Sequence, residues 1–260
     1  MTTRVRARAR ALGLGLALLL VAAPAARAEE ALIAVAANFT AAARDIGAAF
    51  EAEGGHSVTF SFGSTGKLYA QIAHGAPFHA FLAADVARPE KAEAEGLAVS
   101  GSRFTYALGR LALYSPDPDR IGTDGAVALA ADDVDRLAIA NPVTAPYGAA
   151  ALEVLAALDL TDALRARLVQ GDTIMQTHQF VVTGNVPLGF VALAQIVGHT
   201  DGSRWLVPQD LYTPLRQDAV LLRAGADSVA ARAFLDFLRG PVARDIITGY
   251  GYGLDDDGRG

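Results

Sequence analysis

The chain has 260 residues, no cysteine and a formal net charge of −6 at pH 7. The lack of cysteine excludes a disulfide framework, so the fold must be stabilised by its hydrophobic core. The excess of acidic side chains argues against nucleic acid or an anionic lipid surface as the partner, and an anionic ligand would have to be held by local dipoles.

The N-terminal segment has the pattern of a secretory signal peptide. Residues 1–10 carry four arginines and no acid, residues 11–23 are apolar throughout, and residues 26–28 form an A-x-A cleavage pattern. The apolar run is short for a membrane span, which makes an N-terminal anchor the less favoured alternative. We therefore predict that residues 1–28 are removed on export. The 17 basic and 28 acidic residues that remain give a net charge of −11.

In the first part of the mature chain, short apolar runs alternate with helical patterns. A strand-helix order repeated three times predicts a parallel sheet with helices on both faces and right-handed crossovers. The predicted strands are 31–37, 58–62 and 78–83, and the predicted helices are 40–53, 68–74 and 86–95.

A second α/β block follows the long extended run 104–114. Because 104–114 and 215–222 are the longest extended runs, we expect the chain to cross between two lobes there. The prediction is an α/β protein of two hinged lobes, 29–108 plus 218–260 and 109–217, with a ligand cleft between them. In this block we predict strands at 137–140, 188–191 and 215–222, helices at 147–158, 174–183, 227–239 and 241–248, and a segment 164–170 that leads into a turn.

Four turns between strands and helices carry hydrogen-bond donors. Asn38 follows the first strand, where it either caps the next helix or directs its amide NH2 group towards a ligand. Ser64 opens the second helix, Tyr147 follows a proline-rich turn, and Ile174 follows the turn 171–173, in which Asp172 or Thr173 is the cap. Helix starts leave backbone N–H groups free and favour negative charge. Two such turns in each lobe predict a dianion clamped between the lobes.

The stretch SFGSTGKLYAQI, residues 61–72, resembles a phosphate-binding loop but departs from its pattern. The G-x-x-x-x-G-K-[ST] motif needs glycine where Ser61 stands and a magnesium-binding hydroxyl where Leu68 stands. We therefore reject nucleotide binding and interpret Lys67 as a solvated residue of the first helical turn.

Six motifs in order along the mature chain resemble the periplasmic molybdate-binding proteins of ABC transporters. They are VAANFTAAARDI, SFGSTGKLYAQI, GAPFHAFLAAD, NPVTAPYGAAALEVL, TIMQTHQFVVTGNVPLGFVALAQI and YTPLRQDAVLL. Their order across essentially the whole mature chain is far more specific than any one motif. The resemblance implies the two-lobed periplasmic-binding-protein fold, and the capture of molybdate, and of tungstate, for a membrane permease.

The same resemblance implies where the ligand binds. The better-known subgroup has serine in place of Asn38 and tyrosine in place of Ala192, so this chain resembles a second subgroup, and Ala192 is not counted as a ligand residue. A periplasmic monomer that needs no cofactor and delivers molybdate to an ABC permease is expected. The implied contacts fall on Asn38, Ser64 and Tyr147 and on the backbone amides of Ala37 and Ile174.

Three alternative functions were weighed against this interpretation. A sulfate- or phosphate-binding protein on the same fold would differ in cavity size, which the sequence does not reveal. A hydrolase is disfavoured because Ser64 is not in a G-x-S-x-G turn and the five histidines lack metal-binding spacing. An Fe(III)-binding protein would use Tyr250 and Tyr252, but the stretch GYGYG is more typical of a helix end with packed tyrosines.

Overall fold

Two five-stranded sheets form the frame of the protein, of which a computed structural model describes residues 28–255. The predicted signal peptide, residues 1–28, lies outside the described residues except for Ala28. Within the described range, no helix is both long enough and apolar enough to cross a membrane.

Lobe 1 is built on the sheet of β1 (Glu30–Ala36), β2 (Ser57–Gly63), β3 (Ala80–Leu82), β4 (Phe104–Gly109) and β10 (Leu215–Leu221). The strand order is β2-β1-β3-β10-β4. β1 pairs in parallel with β2 and β3, whereas β10 pairs antiparallel with β3 and β4. The sheet is therefore mixed rather than parallel as predicted, because β10 enters from the other lobe instead of through a helical crossover.

Lobe 2 is built on the sheet of β5 (Leu111–Ser115), β6 (Leu137–Ala140), β7 (Leu168–Gly171), β8 (Gly189–Ala192) and β9 (Ser203–Leu206). The strand order is β7-β6-β8-β5-β9. β6 runs parallel to β7 and β8, and β5 runs antiparallel to β8 and β9. The carboxyl ends of β6 and β7 therefore lie at one edge, where the predicted turns begin.

Helices flank both sheets, and local signals set several of their ends. Pro146 opens α5 at a position where its missing N–H costs nothing, and the Ser228 hydroxyl caps α8 by accepting from the Ala231 amide. The helices are α1 (Thr40–Glu53), α2 (Thr65–Ala73), α3 (Ala87–Ala94), α4 (Gly125–Ala130), α5 (Pro146–Ala157), α6 (Thr161–Leu164), α7 (Ile174–Val182), α8 (Val229–Arg239) and α9 (Pro241–Gly249).

The chain passes between the two sheets twice, once within the run 104–114 and once before β10. The run 104–114 is not a single strand, because it breaks at Arg110 into β4 of lobe 1 and β5 of lobe 2. The chain returns from β9 to β10 near residue 215. Four short elements were not predicted from the sequence: β7, β9, α4 and α6 are four to six residues long, too short to show a clear hydrophobic period.

The lobes touch along the cleft. Ala36, Ala37 and Ala84 of lobe 1 belong to the same buried apolar cluster as Tyr147 and Ile174 of lobe 2. These alanines follow β1 and β3, so the carboxyl edge of the lobe 1 sheet packs against helix starts of lobe 2. This contact brings the predicted turns of the two lobes together.

Candidate ligand-binding site

The four predicted turns meet between the lobes, each after the end of a strand. The Gly66 N–H donates to the Thr144 carbonyl oxygen at 2.8 Å, and Lys67 Nζ lies 2.9 Å from Asp172 Oδ2. The start of α2 in lobe 1 therefore contacts the turns before α5 and α7 in lobe 2. The four turns comprise residues 37–39, 64, 141–145 and 172–173.

Ser64 presents a buried hydroxyl that nothing in the described chain binds. The residue occupies the N-cap position of α2, which begins three residues earlier than predicted, but its side chain makes no capping bond. It is only 3 % exposed, and its Oγ has no hydrogen-bond partner among residues 28–255. The neighbouring Thr65 hydroxyl instead accepts from the Ala84 amide at 3.0 Å. An unpartnered buried hydroxyl costs about 1–3 kcal/mol, so Ser64 requires an explanation beyond the fold itself.

The side chain of Asn38 is fully engaged inside the protein. Its Nδ2 donates to Gln217 Oε1 at 2.9 Å and to the Tyr252 hydroxyl at 3.1 Å. It caps neither the 3-10 turn 37–39 nor α1. The helix cap considered from the sequence is therefore not formed, whereas the role of the Asn38 NH2 group towards a ligand stays a prediction. The donors that remain at this turn are backbone N–H groups of a helix start.

Tyr147 occupies the first turn of α5, immediately after Pro146, and is 1 % exposed. Its hydroxyl accepts from Gln217 Nε2 at 3.2 Å. Burial raises the pKa of Tyr147 well above its ordinary value, so the hydroxyl stays protonated at any physiological pH. A protonated phenol that already accepts one bond still has a proton to donate to another acceptor.

At the start of α7, side chains hold the backbone in place. The Thr173 hydroxyl caps the helix by accepting from the Gln176 amide at 3.1 Å, which confirms Thr173 as the N-cap. Gln195 Nε2 donates to the Ile174 carbonyl oxygen at 3.1 Å, and Gln195 Oε1 accepts from the Ala192 amide at 3.0 Å. Ile174 is 3 % exposed and is the first residue of the helix, so its N–H has no acceptor within the helix.

The cleft offers hydrogen-bond donors and positive helix ends in addition to the formal charges of Arg44 and of the Lys67–Asp172 pair. α2, α5 and α7 all begin there, and each helix start carries a partial positive charge. A cavity of about 180 Å³ lies beside Asn38 and the first turn of α7. Its described lining includes Arg44 and His178 and no carboxylate. Such a site suits a compact anion that brings acceptors on every side.

The sequence analysis missed Gln217 and the contacts of Lys67. Gln217 lies on β10, is completely buried, and bonds to residues of both lobes. The available signal was the pair of adjacent polar residues, Gln217 and Asp218, in a strand whose following residues are all apolar. Lys67, interpreted as a solvated residue, is 47 % exposed at its side chain but pairs with Asp172 across the cleft.

The tyrosines proposed for an iron site have other partners. The Tyr252 hydroxyl donates to the Asn38 carbonyl oxygen at 2.8 Å, and the Tyr250 hydroxyl donates to Asp45 Oδ2 at 2.7 Å. The hydrogen bond to Asp45, with burial, raises the pKa of Tyr250 to about 12, which opposes the phenolate that iron would bind. Among residues 28–255, no group of three or more His, Cys, Asp or Glu side chains is placed to hold a metal ion.

Comparisons with known proteins agree with the fold and with the cleft. Residues 31–253 match the family described as bacterial extracellular solute-binding protein. The molybdate-binding protein ModA of Rhodobacter capsulatus is 54 % identical over 231 residues, which cover 89 % of this chain and 90 % of the relative. The protein of the same name from Azotobacter vinelandii is 56 % identical over 233 residues, covering 88 % and 92 %.

A solved structure of a molybdate-binding protein also resembles this chain in its fold. The periplasmic molybdate-binding protein of Azotobacter vinelandii superposes with a TM-score of 0.83 at 39 % identity. The match covers 86 % of this chain and 99 % of that structure. Both lobes are therefore included in the likeness.

Proposed function

This chain belongs to the family of bacterial extracellular solute-binding proteins, which are transport proteins rather than enzymes, and we propose that it binds molybdate in the cleft between its lobes. The proposed ligand contacts are the Ser64 and Tyr147 hydroxyls and the backbone N–H groups of Ala37, Asn38 and Ile174. Tungstate, a dianion of the same shape, binds at the same site.

The observation that carries this proposal is the buried, unpartnered hydroxyl of Ser64. A bound oxyanion would accept from this hydroxyl and remove the cost of leaving it unpaired. Hydrogen bonds to a charged ligand contribute about 1.5–3 kcal/mol each, so a few donors can hold a dianion without a cation. The relatives named for molybdate support the choice of this anion over others.

The donor-only chemistry of the cleft favours a fully deprotonated anion. Phosphate carries a proton near neutral pH and would need an acceptor such as a carboxylate at the site. Molybdate, tungstate and sulfate carry no proton there and differ mainly in size. The size of the closed cavity therefore decides between sulfate and the two larger anions.

Delivery to an ABC permease follows from this role. We propose that the mature protein works in the periplasm as a monomer, because the single cleft contains donors from both lobes of one chain. Closure of the lobes around the anion would then give the permease a shape that differs from the empty protein.

Calorimetric titration of the mature protein with molybdate, tungstate, sulfate and phosphate tests the proposal. Ser64→Ala should weaken molybdate binding roughly ten- to hundredfold, because one bond to a charged ligand is lost. It should not lower the melting temperature of the ligand-free protein, since the hydroxyl has no partner in the described chain.

Ser228→Ala is the matched control, since it removes a serine from the N-cap of α8, where the hydroxyl is used as a cap. It should cost about 1 kcal/mol of stability and leave the affinity unchanged. Unchanged affinity in Ser64→Ala would remove Ser64 from the site. Displacement of molybdate by sulfate at equal concentration would favour the sulfate-binding alternative.

A further inference from the structure

Gln217 links the two lobes beneath the proposed anion site. It lies on β10, the strand by which the chain returns to lobe 1, and its side chain has no exposed surface. Its Oε1 accepts from Asn38 Nδ2 at 2.9 Å, and its Nε2 donates to the Tyr147 hydroxyl at 3.2 Å. Oε1 also lies 3.0 Å from the Tyr106 hydroxyl. The residue thus joins the first turn of lobe 1 to the start of α5 in lobe 2.

The direction of every hydrogen bond in this group follows from Tyr252. Its hydroxyl gives its single proton to the Asn38 carbonyl oxygen at 2.8 Å. The side-chain atom of Asn38 that lies 3.1 Å from the same hydroxyl must therefore be a donor, which identifies it as Nδ2. The second hydrogen of Nδ2 points at Gln217, so Gln217 must present its oxygen to Asn38. Its NH2 group is then left to face Tyr147.

This arrangement of donors and acceptors determines whether the Tyr147 hydroxyl donates or accepts in its bond with Gln217. A phenol has one proton, and a hydroxyl that accepts from an NH2 group cannot give its proton back to that group. Burial raises the pKa of Tyr147 and of Tyr252 well above the ordinary range, so both phenols keep their protons. The Tyr147 proton is therefore not used in the bond to Gln217, although the Asn38 side chain is a second hydrogen-bond partner of this phenol.

We propose that Gln217 is a positioning residue, which holds the Tyr147 hydroxyl as an acceptor and thereby directs its proton to the bound anion. This inference rests on the proposed function, because it assumes that Tyr147 contacts the anion. A glutamine can fill this role because its NH2 group donates to the Tyr147 hydroxyl, whereas an ionised glutamate has no proton to donate. A carboxylate at this position would accept the Tyr147 proton and would add a negative charge under a negative ligand.

A double-mutant cycle with calorimetric titration of molybdate tests this role. Gln217→Met keeps the length of the side chain and removes both hydrogen-bonding groups. It should weaken molybdate binding about tenfold in the natural background. In the Tyr147→Phe background the same change should alter the affinity by less than about twofold, because the group on which Gln217 acts is absent. An equal loss in both backgrounds would show a purely structural role and overturn the proposal.

Molybdate titrations of Gln217→Glu over a range of pH give a second test, because a change in packing alone would not make the affinity depend on pH. Below the pKa of the new carboxyl, its neutral form donates to Tyr147 and binding should approach that of the natural protein. As the pH rises and the carboxyl ionises, the affinity should fall, while the natural protein stays nearly constant. A pH-independent loss would contradict the inference, and this variant also serves if Gln217→Met does not fold.

The titration of the natural protein separates the two proposals. If it does not bind molybdate, the proposed function and the role of Gln217 both fail. If it binds molybdate and the cycle is additive, only the role of Gln217 fails.

Discussion

Two groups of polar contacts line the cleft, a buried floor and an exposed rim, and they differ in how far water can reach them. The floor consists of Asn38, Tyr147, Gln217 and Tyr252, none of which is more than 5 % exposed. Its polar groups cannot exchange their partners for water, so an unmade bond costs the full desolvation of the group. The floor therefore holds one arrangement of hydrogen-bond donors and acceptors.

The rim consists of three contacts between the lobes: Gly66 with Thr144, Lys67 with Asp172, and Arg88 with Val143. Arg88 Nη2 donates to the Val143 carbonyl oxygen at 3.0 Å, and the Lys67 and Asp172 side chains are 47 % and 68 % exposed. Water competes for these groups when the lobes separate, so each contact contributes little free energy. The rim is thus suited to tuning how long the lobes stay together, without defining the ligand.

The largest effect should come from a change that disturbs the floor without altering any polar group. A Cβ at Gly109 would overlap the Tyr147 hydroxyl and Gln217 Nε2. Gly109→Ala should therefore cost about 1–3 kcal/mol of stability through overpacking and weaken molybdate binding by at least about tenfold. Thermal unfolding and calorimetry measure the two effects.

Gly122→Ala is the control for this variant, because a Cβ there meets no atom within 4 Å. It should leave both measurements unchanged. If Gly109→Ala lowered stability but kept the natural affinity, the floor would be a structural support with no part in binding.

A smaller effect is expected at the rim, from Gly66→Ala. A Cβ at Gly66 would lie 3.1 Å from Thr144 Cα, so the lobes must move apart by a few tenths of an ångström. The 2.8 Å bond between the Gly66 amide and Thr144 would lengthen with them. We expect molybdate affinity to fall by about 1 kcal/mol, with no loss of stability in the ligand-free protein, since alanine favours the helix.

Gly249→Ala offers a matched control, since Gly249 also lies in a helix and its added Cβ meets no atom within 4 Å. It should leave the affinity unchanged. An unaltered affinity in Gly66→Ala would show that close approach at the rim is not needed for binding.

The sequence predicts the site where its chemistry is local and misses it where distant segments combine. The turn at Ser64 and the cap at Asp172 or Thr173 were predicted from residues within one turn of a helix, and the structure has Ser64 and Thr173 at the N-caps of α2 and α7. The role of the Asn38 side chain depends on Gln217, 179 residues away, and on Tyr252, 214 residues away. No local pattern carries such information, so the sequence does not reveal these two partners of the side chain.

The fold, like the site, is predictable where the signals are local and unpredictable where distant segments combine. The alternation of strands and helices predicted an α/β fold with two sheets, because apolar runs and turns are local signals. The break at Arg110 was invisible, since FTYALGRLALY is apolar on both sides of the arginine. Only the competition of two sheets for neighbouring segments divides this run into β4 and β5.

The smallest expected effect, that of Lys67→Ala, separates a contact of the rim from the general charge of the protein. Removal of the exposed Lys67–Asp172 pair should weaken molybdate binding by about 0.2–1 kcal/mol at low salt. The loss should nearly disappear at about 1 M salt, where screening acts over roughly 3 Å. Titrations at the two salt concentrations measure the difference.

Lys91→Ala removes the same charge from lobe 1, where Lys91 pairs with Glu95 at 3.8 Å and the two side chains are 59 % and 46 % exposed. If this variant weakens binding equally, the effect belongs to the net charge, since any lost cation makes an acidic protein repel a dianion more strongly. If only Lys67→Ala weakens binding, and only at low salt, the rim contact itself stabilises the closed lobes. A large loss that persists at high salt would instead place Lys67 on the anion, because a desolvated contact escapes screening.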